Sequence, residues 1–189
     1  WEPPSAWFEG VGKLFERIVT EPAFVAQRIP DFPPELLERL RAWRVYGELS
    51  ELTWYLACTR LEQALYTSPG DWAALSAEAT RYEKEISGRT WDYPQNSRGL
   101  PYTRSFQSGL MLHYPAYVQN FLLATETSAI LWSALEEAVD NPLANPQTGA
   151  WFRRELVEPV SLVKSFESRL LELAGESTTE QILTAYLSP

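Results

Sequence analysis

Apolar residues in this chain recur at steps of three and four and hardly anywhere alternate. Trp7, Val11, Leu14 and Ile18 keep that spacing, which lines one face of an α-helix and would scatter over both faces of a strand. Ser5 stands where a helix N-cap is expected. The segment from Asp31 to Arg44 opens with Pro33-Pro34, which suits a first helical turn. Between Val45 and Tyr66 run two apolar stripes, Val45/Leu49/Leu52/Leu56 and Trp54/Cys58/Leu61/Leu65. Two stripes predict burial around much of the circumference.

Ser68-Pro69-Gly70 breaks the pattern, and Asp71 is placed to cap a helix carrying Trp72, Leu75, Ala79, Tyr82 and Ile86. After Pro115 comes the strongest helical signal, Tyr117, Phe121, Ala124, Ser128, Leu131 and Leu135, which Asn141-Pro142 ends. Three shorter helices are expected: near Thr148 to Val157, after Pro159 with Leu162, Phe166, Leu170 and Leu173, and after Gly175. The last opens on Thr178-x-x-Gln181, a capping box. Residues 87–112 differ. Gly88, Pro94, Gly99, Pro101 and Gly109 punctuate them, the pattern of a long loop of the kind that carries function. The expectation is an all-α fold in which residues 1–189 form a single helical lobe of something larger.

Composition narrows the chemistry. A catalytic zinc takes about three protein ligands, mostly imidazole or thiolate. The chain has one histidine, His113, and one cysteine, Cys58, so it cannot build such a site alone. Cys58 falls on an apolar stripe and reads as a small buried hydrophobe. The net charge of −9, with basic residues dispersed, argues against nucleic acid as a partner. No apolar run of about 20 residues occurs, so no membrane span is expected. A single cysteine allows no internal disulfide and favours the cytoplasm. The chain opens on Trp1 and has its only methionine at Met111, from which a cut or processed chain, with an upstream part missing, is expected.

Few residues could carry chemistry. Glu2 lies just ahead of the first helix, where a carboxylate also complements the helix dipole. His113, Tyr114 and Tyr117 cluster where the long loop meets a helix, and imidazole and phenol groups can donate hydrogen bonds to a developing oxyanion. No nucleophile elbow, phosphate loop or dinucleotide fingerprint is present.

The order of these pieces resembles the thimet oligopeptidase and oligoendopeptidase F group of zinc metallopeptidases, gluzincins of mostly helical fold. The opening Trp1-Glu2-Pro3-Pro4-Ser5-Ala6 looks like that group's V-E-x-P-S-Q motif. A pair of helices over Pro34 to Tyr66 matches the pair that follows the motif. Leu112-His113-Tyr114-Pro115-Ala116-Tyr117 resembles the group's tyrosine-rich segment, with Asn120 or Phe121 where a second tyrosine is often found. It is similar also to the P-Y-x-x-Y-F segment of the angiotensin-converting-enzyme type. Asn145-Pro146-x-Thr148-Gly149-x-x-Phe152-Arg153 looks like the N-P-x-T-G-x-x-F-R-x-E pattern near the group's C-terminus.

The resemblance implies that Glu2 is the third zinc ligand. It implies that His113, Tyr114 and Tyr117 face the substrate carbonyl. The H-E-x-x-H helix, with two histidine ligands and the general base, would come from a missing N-terminal part or a partner chain. The cofactor would then be a zinc ion shared with that part, and the substrate a peptide. The chain would be inactive alone. The alternative is a non-catalytic helical scaffold that binds a partner.

Overall fold

A computed structural model of the chain describes residues 5–67, 70–87, 114, 116–158 and 166–187. The helices among the described residues are α1 (Ser5–Thr20), α2 (Pro22–Arg28), α3 (Pro34–Thr67), α4 (Trp72–Ser87), α5 (Gln119–Ala138), α6 (Gln147–Phe152), α7 (Phe166–Ala174) and α8 (Thr179–Tyr186). A short π-helix over Arg153–Val157 follows α6 directly. No strand occurs among the described residues, and the fold is all-α. None of the described helices is long and apolar enough to cross a membrane.

Local chemistry explains several boundaries. Asp71 Oδ1 accepts the Ala74 amide at 3.0 Å and starts α4. Thr178 and Gln181 form the expected reciprocal capping box at the start of α8. Ser5 is the first residue of α1. The expectation missed α2, a short helix that begins at Pro22, where the missing N–H costs nothing.

The expected helix pair over Pro34 to Tyr66 is instead one helix of 34 residues. Nothing in its middle can stop it. No proline or capping pair separates Arg44 from Val45, and Gly47 alone costs only about 1 kcal/mol relative to alanine. The two stripes also differ. Cys58 and Leu61 are fully buried, whereas Leu49 and Leu56 are exposed. Helix α3 therefore buries one stripe over this stretch, and the expected wide burial does not occur.

The chain divides into two compact units, one of Trp1–Glu48 with Leu123–Pro189, the other of Leu49–Leu122. In the first, Trp7, Leu14 and Ile18 of α1 share a core with Leu131, Trp132 and Leu135 of α5, Trp151 of α6, and Ile182 and Tyr186 of α8. In the second, Tyr55 and Cys58 of α3 pack with Val118, and Trp54, Phe121 and Leu122 close over them.

A charged group is threaded through the first core. Arg17 is buried, with its guanidinium 4.1 Å from the Tyr186 ring centre and 4.7 Å from that of Trp132. Its Nη1 donates to the Tyr186 carbonyl at 2.7 Å. Glu21 lies 3.5 Å from Arg17 Nε and 3.5 Å from Arg44 Nη2, and Glu48 lies 3.4 Å from Arg44 Nη1. The Tyr186 hydroxyl shares a 2.9 Å hydrogen bond with Ser128. Burial pushes the Tyr186 phenol up to about 12, with the Glu48 charge adding to the rise.

Close contact between α1 and α5 rests on Gly10. A Cβ there would sit 2.5 Å from Thr127 Cγ2 and 2.6 Å from Thr127 Cβ, whereas one at Gly12 would meet nothing within 4 Å. Gly10→Ala should therefore cost about 1–3 kcal/mol by overpacking. Gly12→Ala should be neutral or should stabilise by up to about 1 kcal/mol. Urea unfolding of the two variants checks this contrast, and equal effects would contradict the packing assignment.

Candidate functional site

Of the residues singled out by sequence, Glu2 and His113 lie outside the described residues. So does the loop expected over 87–112, apart from Ser87 at the end of α4. Tyr114 and Tyr117 are described and are brought together in the second unit.

The Tyr117 amide donates to the Tyr114 carbonyl at 3.1 Å, closing a four-residue turn. Ala116, the third residue, has φ of +59°. Glycine or asparagine is the usual residue at a turn position with positive φ. The sequence supplies Pro115 as the second residue but puts alanine third, where the left-handed region costs an L-residue roughly 1–2 kcal/mol.

Glu62 meets the turn from α3. Its Oε1 accepts the Ala116 amide at 3.0 Å, and the residue is only 6 % exposed. In a β-turn the amide of the third residue has no partner within the turn, so the carboxylate satisfies a donor that would otherwise need solvent.

The turn presents aromatic rings in sequence. The Tyr114 and Tyr117 ring centres are 5.8 Å apart. Tyr117 meets Phe121 edge-on at 5.6 Å, and Phe121 stacks on Tyr55 at 5.0 Å. Tyr55 is buried and Tyr114 is 59 % exposed. The series thus runs from a buried anchor on α3 to a phenol open to solvent. Chemically it offers two neighbouring hydroxyl donors on a rigid base and one buried carboxyl behind them.

Sequence reasoning missed Glu62. A signal was present, because Glu62 falls four residues after Cys58 and next to Leu61, on the buried stripe of α3. A carboxylate on a buried stripe almost always has a partner. The left-handed Ala116 had no such signal.

The segment resembling the N-P-x-T-G pattern lies in the first unit and has local duties of its own. Asn145 Nδ2 donates to the Asp140 carbonyl and its Oδ1 accepts the Gln147 amide, both at 2.9 Å. The Thr148 hydroxyl donates to the Pro142 carbonyl at 2.6 Å. Together they build the connection from α5 to α6, in which Asn141 adopts φ of +49°, and they deliver Trp151 into the core. Beyond it, the buried Glu155 pairs with Arg154 at 2.6 Å and with Arg169.

No group of three or more His, Cys, Asp or Glu residues among the described residues could hold a metal ion. Compared with protein-family models, with curated proteins and with solved structures, the chain gives no match.

Burial raises the Glu62 carboxyl above its ordinary value of 4.5, against the lowering effect of the Ala116 amide. The native state therefore holds this proton at pH values where the unfolded chain has released it. Stability gained from the proton is present below the unfolded pKa and is lost as pH rises through the native one. Relative to Glu62→Gln, the wild-type chain should lose stability as pH rises from 4.5 toward neutrality. Glu48 is raised likewise, but it is common to both proteins and cancels. Parallel stability curves in denaturant titrations would contradict the assignment.

Proposed function

We propose that this chain is the C-terminal part of a zinc-dependent oligopeptidase that hydrolyses peptide bonds, inactive alone and working with a part that carries an H-E-x-x-H helix. The observation that carries this reading is the phenol pair. Tyr114 and Tyr117 stand 5.8 Å apart on a turn held from α3, and they belong to the segment whose pattern resembles the oligopeptidases.

Zinc, when bound, supplies Lewis-acid polarisation of the carbonyl and an acidified water. The residues of this chain have three duties in the reading. Glu2 is one carboxylate ligand, and the other ligands come from the partner part, since this chain has one histidine and one cysteine. Tyr117 and Tyr114, with His113, donate hydrogen bonds to the oxygen that gains charge as the scissile carbonyl becomes tetrahedral. A donor of this kind contributes about 2.7–4 kcal/mol to the transition state. The aromatic base of Phe121 and Tyr55 holds the phenols in place, so that little reorganisation is needed as charge develops. We place the enzyme in the cytoplasm, in keeping with a buried free thiol at Cys58.

A second reading, a non-catalytic scaffold that binds a partner chain, has its own support. Phe8, Phe15 and Val19 are exposed on α1 at spacings of seven and four, an apolar stripe that a partner could cover. Both readings require a partner, and hydrolysis separates them.

The test uses the chain joined to its H-E-x-x-H part and an internally quenched peptide. Tyr117→Phe should lower kcat by about 10²–10³-fold. Glu2→Ala should remove zinc from the assembly by elemental analysis. Full zinc occupancy in Glu2→Ala would contradict the ligand assignment. Absence of zinc-dependent hydrolysis in the unsubstituted assembly would favour the scaffold.

A further inference from the structure

We propose that α1 pairs with α1 of a second copy of this chain, antiparallel across a two-fold axis, with Phe15 of each copy seated against Gly12 of the other. This pairing is independent of the peptidase reading.

Helix α1 has two apolar faces. The inner one, with Trp7, Leu14 and Ile18, lies in the core of the first unit. On the outer one Phe8, Phe15 and Val19 are each about half exposed. At 3.6 residues per turn, Phe8, Gly12, Phe15 and Val19 fall within an arc of about 60° and form one ridge roughly 16 Å long. A helix that is apolar on opposite faces is normally covered on both. Large apolar side chains grouped on a surface mark a place of contact.

Gly12 shows what kind of contact the ridge is shaped for. A glycine inside a helix costs about 1 kcal/mol relative to alanine. Gly10 has a reason within the chain, because a Cβ there would strike Thr127. Gly12 has none, since a Cβ there would meet nothing within 4 Å. It leaves a notch in the ridge between Phe8 and Phe15, where a bulky group from outside can reach the helix backbone.

The ridge itself supplies such a group. Its positions are four, three and four residues apart, so the spacing is the same from either end. An antiparallel two-fold axis passing between Lys13 and Leu14 sets Gly12 of each copy opposite Phe15 of the other, and Phe8 opposite Val19. Every pair then joins a larger side chain to a smaller one, as close packing requires. Parallel pairing would set Phe8 on Phe8 and Phe15 on Phe15, and would leave Gly12 facing Gly12 across a gap. In a two-fold pair one patch serves both partners, and such pairs are the commonest assemblies of identical chains. Phe15 is braced for this role by Phe152, whose ring centre lies 5.2 Å away.

A single helix pair buries less than a standard interface, and each copy carries a net charge of −9. The dimer is therefore weak and concentration-dependent, and added salt tightens it by screening the repulsion.

The test is sedimentation equilibrium on the full chain, from about 5 to 500 μM. The mass should rise from monomer toward dimer across that range. Gly12→Phe should weaken dimerisation about tenfold or more by filling the notch, although it adds exposed apolar surface. Phe15→Ala should weaken it similarly. The two substitutions together exchange knob and notch and should restore the dimer, while unchanged circular dichroism confirms the fold of each variant. Tighter association in Gly12→Phe would mean unspecific apolar contact and would overturn the pairing. A monomer at every concentration would also overturn it, and would leave the ridge to the H-E-x-x-H part. Zinc-dependent hydrolysis by the joined assembly tests the peptidase reading separately.

Discussion

One guanidinium holds the first unit together. Arg17 lies between the rings of Trp132 and Tyr186 and donates to the Tyr186 carbonyl, an oxygen at the C-terminal end of α8 that has no partner within its own helix. It thereby ties α1 to α5 and α8 at a single point. The carboxylate of Glu21 at the start of α2 and Arg44 of α3 extend the same network. Taking a cation out of water costs several kcal/mol, and its partners do little more than offset that cost. What such a group adds is selectivity. Any arrangement that moved α8 away would leave a buried charge without acceptors, and breaking such a network is strongly destabilising. The last helix of the chain is fixed in this way although it is only eight residues long, too short to be stable by itself.

Much of this fold was legible in the sequence because its signals are local. The spacing of Trp7, Leu14 and Ile18 gives α1 its buried face, and the oxygens of Asp71 and Thr178 start α4 and α8 as their side-chain chemistry requires. The mistakes share a physical origin. Apolar content on α3 suggested two buried stripes, but periodicity shows only which residues line up along a helix, not which line meets a neighbour. Leu49 and Leu56 are exposed for that reason, while Cys58 and Leu61 are not. The continuity of α3 depended on the absence of a stop signal near Arg44, and absences are harder to read than caps or prolines.

The candidate site was half legible. Tyr114 and Tyr117 could be picked out because they cluster at a junction of loop and helix. Glu62 could not be joined to them by any local rule, since its hydrogen bond spans 54 residues of chain. The left-handed Ala116 was hidden as well, because alanine is not a residue type that signals positive φ. The N-P-x-T-G stretch teaches the reverse lesson. Its asparagine and threonine build a helix connection by hydrogen bonds of their own, so a stretch that merely resembles an enzyme group's pattern need not mark chemistry at those positions.

In the proposed reading this chain supplies one carboxylate ligand and the donors His113, Tyr114 and Tyr117, and another part supplies imidazole ligands and a general base. The carboxylate is its most exposed point. X-ray absorption at the zinc edge of the intact assembly tests it most directly, compared between the wild type and Glu2→Gln. The account predicts zinc bonded to two imidazole nitrogens and a carboxylate oxygen, with the oxygen contribution reduced in the variant. A zinc environment unchanged by the substitution, or one completed by sulfur ligands, would contradict it.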